Sequence, residues 1–156
     1  MKKLFLMAAA LSAAISFSAC SDKDDKADNK DASIVGTWQI TREAGYETVP
    51  GEGQSDKDIT YPIDDVNDDY GFYYTYTFNE DGSGSYKSFN YYEDNQLLEE
   101  WPFRYAVSNN VLTIPEEYEY HGTFRIEQLT GTQLVLFEEI DDNGYQAATT
   151  YTFRKI

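Results

Sequence analysis

From residue 33 onward the chain is a succession of short segments in which large apolar residues alternate with polar ones. Tyrosine and phenylalanine are unusually common, with 14 and 9 copies among 156 residues, and such side chains suit a pleated, half-buried surface. Alternation with a period of two places one set of side chains on each face of a strand. No segment longer than a turn or two shows helical periodicity, so the pattern predicts an all-β fold.

Turn signals divide this region into eight predicted strands. The clearest are the Asp-Gly at 81–82 and the Asn-Gly at 143–144, where glycine accepts the positive φ of a hairpin turn. The predicted strands are residues 34–42, 71–79, 83–92, 97–107, 111–115, 120–129, 132–140 and 145–155. Short connections favour an eight-stranded antiparallel up-and-down barrel, because closure removes exposed strand edges. The same alternation is also compatible with a two-sheet sandwich.

One connection is long. Residues 43–70 are rich in glycine, proline and aspartate, and they predict a loop between the first two strands. A loop of this length in a compact domain is usually functional or disordered.

The N-terminal region has the pattern of a secretion signal. Lys2 and Lys3 precede an apolar run at 4–17, and small residues follow at 18–19. The run is shorter than the roughly 20 residues that a membrane-spanning helix needs. We therefore predict a signal peptide at 1–19, a lipidated Cys20 with a flexible acidic tether over 20–32, and one β-barrel domain over 33–156.

The only cysteine, Cys20, lies at the end of Phe-Ser-Ala-Cys at 17–20, which resembles the lipobox of bacterial lipoproteins. That resemblance implies that the sulfur carries a diacylglycerol and that cleavage makes Cys20 the first residue; a leftover thiol is the alternative. The Lys-Asp-Asp at 23–25 resembles the surface-export signal of Bacteroidetes lipoproteins. It implies a lipid-anchored protein of the outer membrane that is exposed at the cell surface; a periplasm-facing location is the alternative.

The charge of the chain restricts its partners. Removal of residues 1–20 takes away two lysines and no acids, so the net charge changes from −16 to −18. Nucleic acid and anionic membrane surfaces repel such a domain. We expect no nucleic-acid partner and no membrane contact beyond the acyl anchor.

Gly36-Thr37-Trp38 in the first strand and Arg154 in the last resemble the lipocalin-like domains of Bacteroidetes lipoproteins. The resemblance covers residues 34–156. It implies a barrel with one end closed by Trp38, next to Gly36, and with Arg154 packed across the indole ring. It also implies that residues 43–70 overhang the open mouth.

Few sequence features indicate catalysis or metal binding. The single histidine, His121, is interpreted as a surface or rim residue, and no nucleophile motif or zinc ligand set is present. The acidic runs at 64–69 and 141–143 are interpreted as solvated turns, with a calcium site as the alternative. No pair of carboxylates is singled out for glycosidase chemistry. We predict no enzyme activity, no cofactor and no resident metal.

The inward-facing aromatic residues are the candidate binding residues. They are Tyr74, Tyr76, Trp101, Phe103, Tyr105, Phe124, Tyr151 and Phe153. In an eight-stranded barrel such side chains either fill the interior or line a cavity for one small ligand. A cavity predicts binding of a small, partly apolar or amphipathic molecule. A filled barrel predicts an interaction module that binds an envelope protein or glycan through its loops and outer aromatic faces.

Replacement of Cys20 by alanine tests the anchor. We expect the wild-type chain to fractionate with membranes and the Cys20→Ala chain to be soluble, since acyl chains contribute about 0.8 kcal/mol per buried CH₂ group. Ser21→Ala, which keeps the cysteine, is the control, and immunoblotting of membrane and soluble fractions is the measurement. A Cys20→Ala chain found entirely with membranes would contradict lipid anchoring.

Overall fold

The computed structural model describes residues 32–65 and 70–156, which form β-strands joined by turns, with no helix in these two ranges. The strands are β1 (Gly36–Val49), β2 (Gly53–Thr60), β3 (Ile63–Asp65), β4 (Tyr70–Phe78), β5 (Ser83–Asn90), β6 (Gln96–Arg104), β7 (Ala106–Ser108), β8 (Val111–Ile114), β9 (Gly122–Leu129), β10 (Gln133–Asp142) and β11 (Tyr145–Lys155). The predicted signal peptide, Cys20 and residues 21–31 of the predicted tether lie outside the described residues. A search of the described ranges for a helix suited to crossing a membrane finds none.

One antiparallel sheet contains all of these strands. Hydrogen-bonded neighbours follow the order β6-β5-β4-β1-β11-β10-β9-β8-β7. Only Tyr105 separates β6 from β7, so the two ends of this order are halves of one strand that bends at Tyr105. The sheet therefore returns on itself as a nearly closed barrel. The predicted all-β, antiparallel, up-and-down class is confirmed, and a sandwich of two sheets is excluded.

The strand count differs slightly from the prediction. When β6 and β7 are taken as one bent strand, the barrel wall contains the eight predicted strands; β2 and β3 are additional and pair with β1 and β4. Both additional strands come from residues 43–70, which were expected to form a loop.

That expectation was wrong for most of the segment. β1 continues to Val49, and β2 folds back on it through a turn at Gly51, whose φ of +87° favours glycine. The amide of Glu52 donates to the carbonyl oxygen of Val49 at 3.0 Å. Most of β2 is exposed and polar. Its sequence therefore has no apolar alternation from which a strand could be predicted.

Large aromatic side chains pack together in the core of the barrel. Phe78, Phe103 and Phe153 are at most 3% exposed. The Tyr76 ring meets those of Phe103 and Phe153 nearly at right angles, with centroids 5.8 and 5.9 Å apart. Edge-to-face contacts of this kind stabilise aromatic cores beyond the area that they bury.

Trp38 belongs to this core. Its side chain is fully buried, and its indole Nε1 donates to the carbonyl oxygen of Ile34 at 2.7 Å. The Lys155 ammonium lies 5.1 Å from the indole centroid and donates to the carbonyl oxygen of Val35 at 2.9 Å. Gly36 has a φ of +132°, and a Cβ there would lie 2.5 Å from Cε of Lys155. The positive φ therefore favours glycine at this position, and a Cβ there would also displace the end of the lysine side chain.

The cation over Trp38 is Lys155 and not Arg154, so the role predicted for Arg154 was wrong. Arg154 is exposed and donates to Oε1 of Gln39 through Nη2 at 2.7 Å and through Nε at 3.1 Å. Side chains alternate between the faces of a strand. Phe153 points into the core, so its neighbour Arg154 points outward and Lys155 returns to the side of Trp38. The backbone register pairs Trp38 directly with Lys155.

We expect Lys155→Met to lower the free energy of unfolding by about 1–2 kcal/mol, because it removes a cation–π contact and a hydrogen bond to the backbone. Arg154→Met is the matched control and should change stability by less than about 0.5 kcal/mol. Urea unfolding of a chain that begins at residue 21, followed by tryptophan fluorescence, measures both. Equal destabilisation by the two substitutions would contradict the assignment to Lys155.

Candidate functional site

The barrel interior contains an open cavity of about 300 Å³. Its walls are mainly aromatic, and its rim includes exposed polar residues such as Glu119 and His121. The aromatic side chains around it are Tyr74, Tyr76, Phe78, Tyr86, Tyr120, Phe124, Tyr151 and Phe153. Trp38, which belongs to the core, is not part of the lining.

Five of the eight predicted binding residues line this cavity: Tyr74, Tyr76, Phe124, Tyr151 and Phe153. The other three do not. Phe103 is 3% exposed and packs behind Tyr76 as part of the core. Tyr105 packs against Phe78, with centroids 4.9 Å apart, and donates its hydroxyl to the carbonyl oxygen of Asn79.

Trp101 is the clearest departure from the predicted set, because its side chain is 41% exposed. It lies directly opposite Tyr86 in the β5–β6 register, so both belong to the same face. However, β6 pairs only with β5. Tyr120, from the β8–β9 connection, stacks on Tyr86 at a centroid distance of 3.6 Å and donates to Glu99 of β6 at 2.9 Å. Tyr120 thus covers the Tyr86 ring, whereas Trp101, which was predicted to face the interior, is exposed.

Glu43 is the most buried charged residue at the cavity, at 5% exposure. Both the Tyr61 and the Tyr74 hydroxyls donate to its Oε1 at 2.7 Å, and the Lys57 ammonium pairs with its Oε2. Burial, together with the neighbouring Glu43 charge, raises the pKa of the Tyr61 and Tyr74 hydroxyls well above the ordinary tyrosine value. Both tyrosines therefore stay neutral donors, and the buried carboxylate has all the partners that such a charge requires.

Glu138 is a second carboxylate in the wall. Its Oε2 accepts a hydrogen bond from the Tyr151 hydroxyl at 3.0 Å. Burial raises the pKa of Glu138, and this effect is opposed by the Tyr151 hydrogen bond and by the charge of His121. A Cβ on Gly122 would lie 2.8 Å from Glu138 Oε1 and 2.6 Å from the Phe124 ring. The absence of a side chain at Gly122 therefore makes room for the carboxylate next to Phe124.

The Tyr76 hydroxyl differs from those of the neighbouring tyrosines. Among the hydrogen bonds of the described ranges, those of Tyr74 and Tyr151 reach carboxylates, whereas none involves the Tyr76 hydroxyl. No fully enclosed side-chain polar atom in these ranges lacks a partner. Tyr76 lines the cavity, so its hydroxyl is a polar group that a bound molecule can use.

Sequence reasoning missed Glu43, Lys57, Tyr86, Tyr120 and Glu138. The first two lie in the segment expected to be a loop. Tyr86 belongs to β5, whose buried face otherwise consists of glycine, serine and asparagine, so its alternation is not hydrophobic. His121 was interpreted as a rim residue, and it is exposed there, with Nδ1 2.8 Å from the carbonyl oxygen of Tyr118.

Metal ligands do not cluster in the parts of the chain that the structure describes: no group of three or more His, Cys, Asp or Glu side chains is found there. In the acidic turn at 141–143, Nδ2 of Asn143 donates to Asp142 at 2.7 Å. Of the acidic run at 64–69, residues 66–69 lie outside the described ranges.

One of three comparisons with known proteins shows the family of this chain. A search of curated proteins finds no matching relative. A search of solved structures finds a complex of bovine odorant binding protein with a selenium-containing odorant, at 16% identity and a TM-score of 0.44, over 86% of this chain and 78% of that one. A family model described as a lipocalin-like domain matches residues 34–136. This match spans most of the chain and confirms that the resemblance to lipocalin-like domains is correct: the chain belongs to the lipocalin-like domain family.

Proposed function

We propose that this protein is a non-catalytic binding protein that holds one small, partly apolar molecule inside its barrel. The observation that carries the proposal is the open aromatic cavity of about 300 Å³, which has fixed polar groups in its wall. Ligand sites combine mostly apolar walls with a few oriented polar groups. This cavity has both.

The size and lining of the cavity limit the ligand. Ligand pockets commonly have volumes of about 300–1,000 Å³, so this one is at the lower end and fits a molecule no larger than a ring system with a short chain. The rings of Tyr76, Phe124 and Tyr151 offer apolar contact. The Tyr76 hydroxyl and Glu138 offer polar contact, so the ligand has one apolar part and one polar end.

We also propose a location. The lipobox-like sequence ending in Cys20 and the Lys-Asp-Asp at 23–25 support a lipid anchor in the outer membrane, with the barrel at the cell surface. In that position the protein would capture a ligand from outside the cell. The net charge of −16 supports the absence of nucleic-acid partners.

Probe binding and native mass spectrometry test the cavity. The chain from residue 21, purified from cells, should retain a bound small molecule or take up one equivalent of 1-aminoanthracene. Phe124→Trp, which enlarges a side chain in the cavity wall, should weaken probe binding about tenfold or more, the equivalent of about 1.4 kcal/mol.

Phe137→Trp is the matched control. Phe137 lies on β10 beneath the Arg125 guanidinium, 4.5 Å from the ring centroid, and outside the cavity lining. The Phe137→Trp substitution should leave probe binding unchanged. A bare mass together with no probe binding by the wild-type chain would overturn the proposed function.

A second candidate function is supported by the exposed apolar residues of β6. Leu97, Leu98 and Trp101 are 46%, 43% and 41% exposed, and large exposed apolar groups often mark interaction sites. On this interpretation the protein binds an envelope glycan or protein through the exposed side chains of β6, and the ring of Trp101 stacks on a sugar.

Trp101→Ala should then weaken the affinity for envelope polysaccharide at least about tenfold, since such aromatic contacts contribute several kcal/mol in interfaces. The same variant should leave 1-aminoanthracene binding unchanged. Retarded migration of the protein in polysaccharide-containing native gels measures the effect. Equal migration with and without polysaccharide would exclude the second candidate.

A further inference from the structure

The two carboxylates of the cavity are in different electrostatic situations. Glu43 has a cation, Lys57, and two tyrosine hydroxyls. Glu138 has the Tyr151 hydroxyl at 3.0 Å, but no Lys, Arg or His nitrogen in the described ranges lies within ion-pair distance of it. The charge of His121 acts on Glu138 only from beyond ion-pair distance. A partly buried carboxylate without a cation in contact is costly, so a cationic group on a ligand would be stabilised at Glu138.

The surroundings of Glu138 favour an organic cation. The Phe124 ring lies next to the carboxylate at Gly122, and it meets the Tyr151 ring at 6.0 Å and 82°. Aromatic faces attract ammonium groups, most strongly in desolvated sites. A cation held by Glu138 would thus also contact rings, whereas a hydrated metal ion would find few oxygen ligands, consistent with the absence of a metal-ligand cluster in the described part of the chain.

An anionic ligand would be at a disadvantage in the same cavity. The one lysine in its lining, Lys57, is engaged with Glu43. An anion that took Lys57 away would leave Glu43, at 5% exposure, as a buried charge without its cation, which is strongly destabilising. The net charge of −16 adds long-range attraction for cations and repulsion for anions.

We infer that the cavity selects organic cations: a small molecule that carries an apolar ring and a protonated amine, with the ammonium group against Glu138 and the rings of Phe124 and Tyr151. This inference rests on the proposed function and names its ligand class. The Tyr151 hydroxyl acts as a positioning group, because it fixes one carboxylate oxygen and leaves the other, Oε1, available to the amine.

Three indole compounds with one ring system and different end groups test this selectivity. Tryptamine, tryptophol and indole-3-propionate carry an ammonium, a hydroxyl and a carboxylate, and calorimetric titration of the chain from residue 21 gives each Kd. This chain retains every strand of the barrel. We expect tryptamine to bind about tenfold or more tightly than tryptophol, as one charge-assisted contact implies, and indole-3-propionate to bind more weakly than either.

Glu138→Gln removes the charge and keeps the shape, so tryptamine should lose its advantage while tryptophol binding changes by less than about twofold. Glu139→Gln, an equal charge change at an exposed neighbouring position, should preserve the preference. Comparable affinity for all three compounds in the wild-type chain, or an unchanged preference in Glu138→Gln, would overturn the inference.

The two proposals can fail separately. If 1-aminoanthracene binds but none of the indoles does, or tryptamine is not preferred, the cation selectivity is wrong and the binding function stands. If neither the dye nor any indole binds, both are wrong. Because the wild-type preference is measured without any substitution, the result does not depend on whether Glu138→Gln folds.

Discussion

Strand β1 organises the structure, because it pairs with three other strands. Its first residues, 36–39, pair with β4, and from Arg42 onward the same edge pairs with β2, while β11 follows the opposite edge for most of its length. The backbone ladder between β1 and β4 therefore ends early. At that point Glu43 accepts hydrogen bonds from Tyr74 of β4 and from Tyr61. The buried carboxylate joins strands that backbone hydrogen bonds no longer connect.

The same arrangement explains why one cavity carboxylate is structural and the other is available. Glu43 spans the separation between strands, and removal of either the lysine or the hydroxyls would leave a buried charge unsatisfied. Glu138 lies on β10, where the pairing with β11 is continuous from Gln133 to Asp142. The backbone pairing of these two strands does not depend on its charge. A carboxylate that is costly to bury and unnecessary for backbone pairing supports the proposed cation site.

The barrel could be predicted from the sequence because eight segments alternate between faces and end in recognisable turns. The hairpin of β1 and β2 could not, since β2 is mostly polar and exposed and shows no apolar alternation. The inward position of Lys155 was predictable in principle. Phe153 was predicted to face the interior, and because side chains alternate along a strand, Arg154 then faces outward and Lys155 faces inward. The burial of Glu43 and the stacking of Tyr120 on Tyr86 depend on contacts between distant segments, which alternation within one strand does not encode.

The tyrosines also explain why this interior is lined and not filled. A buried hydroxyl needs a partner, so a tyrosine-rich barrel cannot pack its rings as freely as one made of leucine and phenylalanine. Here Tyr74 reaches Glu43 and Tyr151 reaches Glu138, and each hydrogen bond holds a ring against the wall. The space between the rings remains open, and the Tyr76 hydroxyl faces it without a partner from the described residues. The hydrogen bonds that satisfy the hydroxyls of Tyr74 and Tyr151 thus also keep the cavity open.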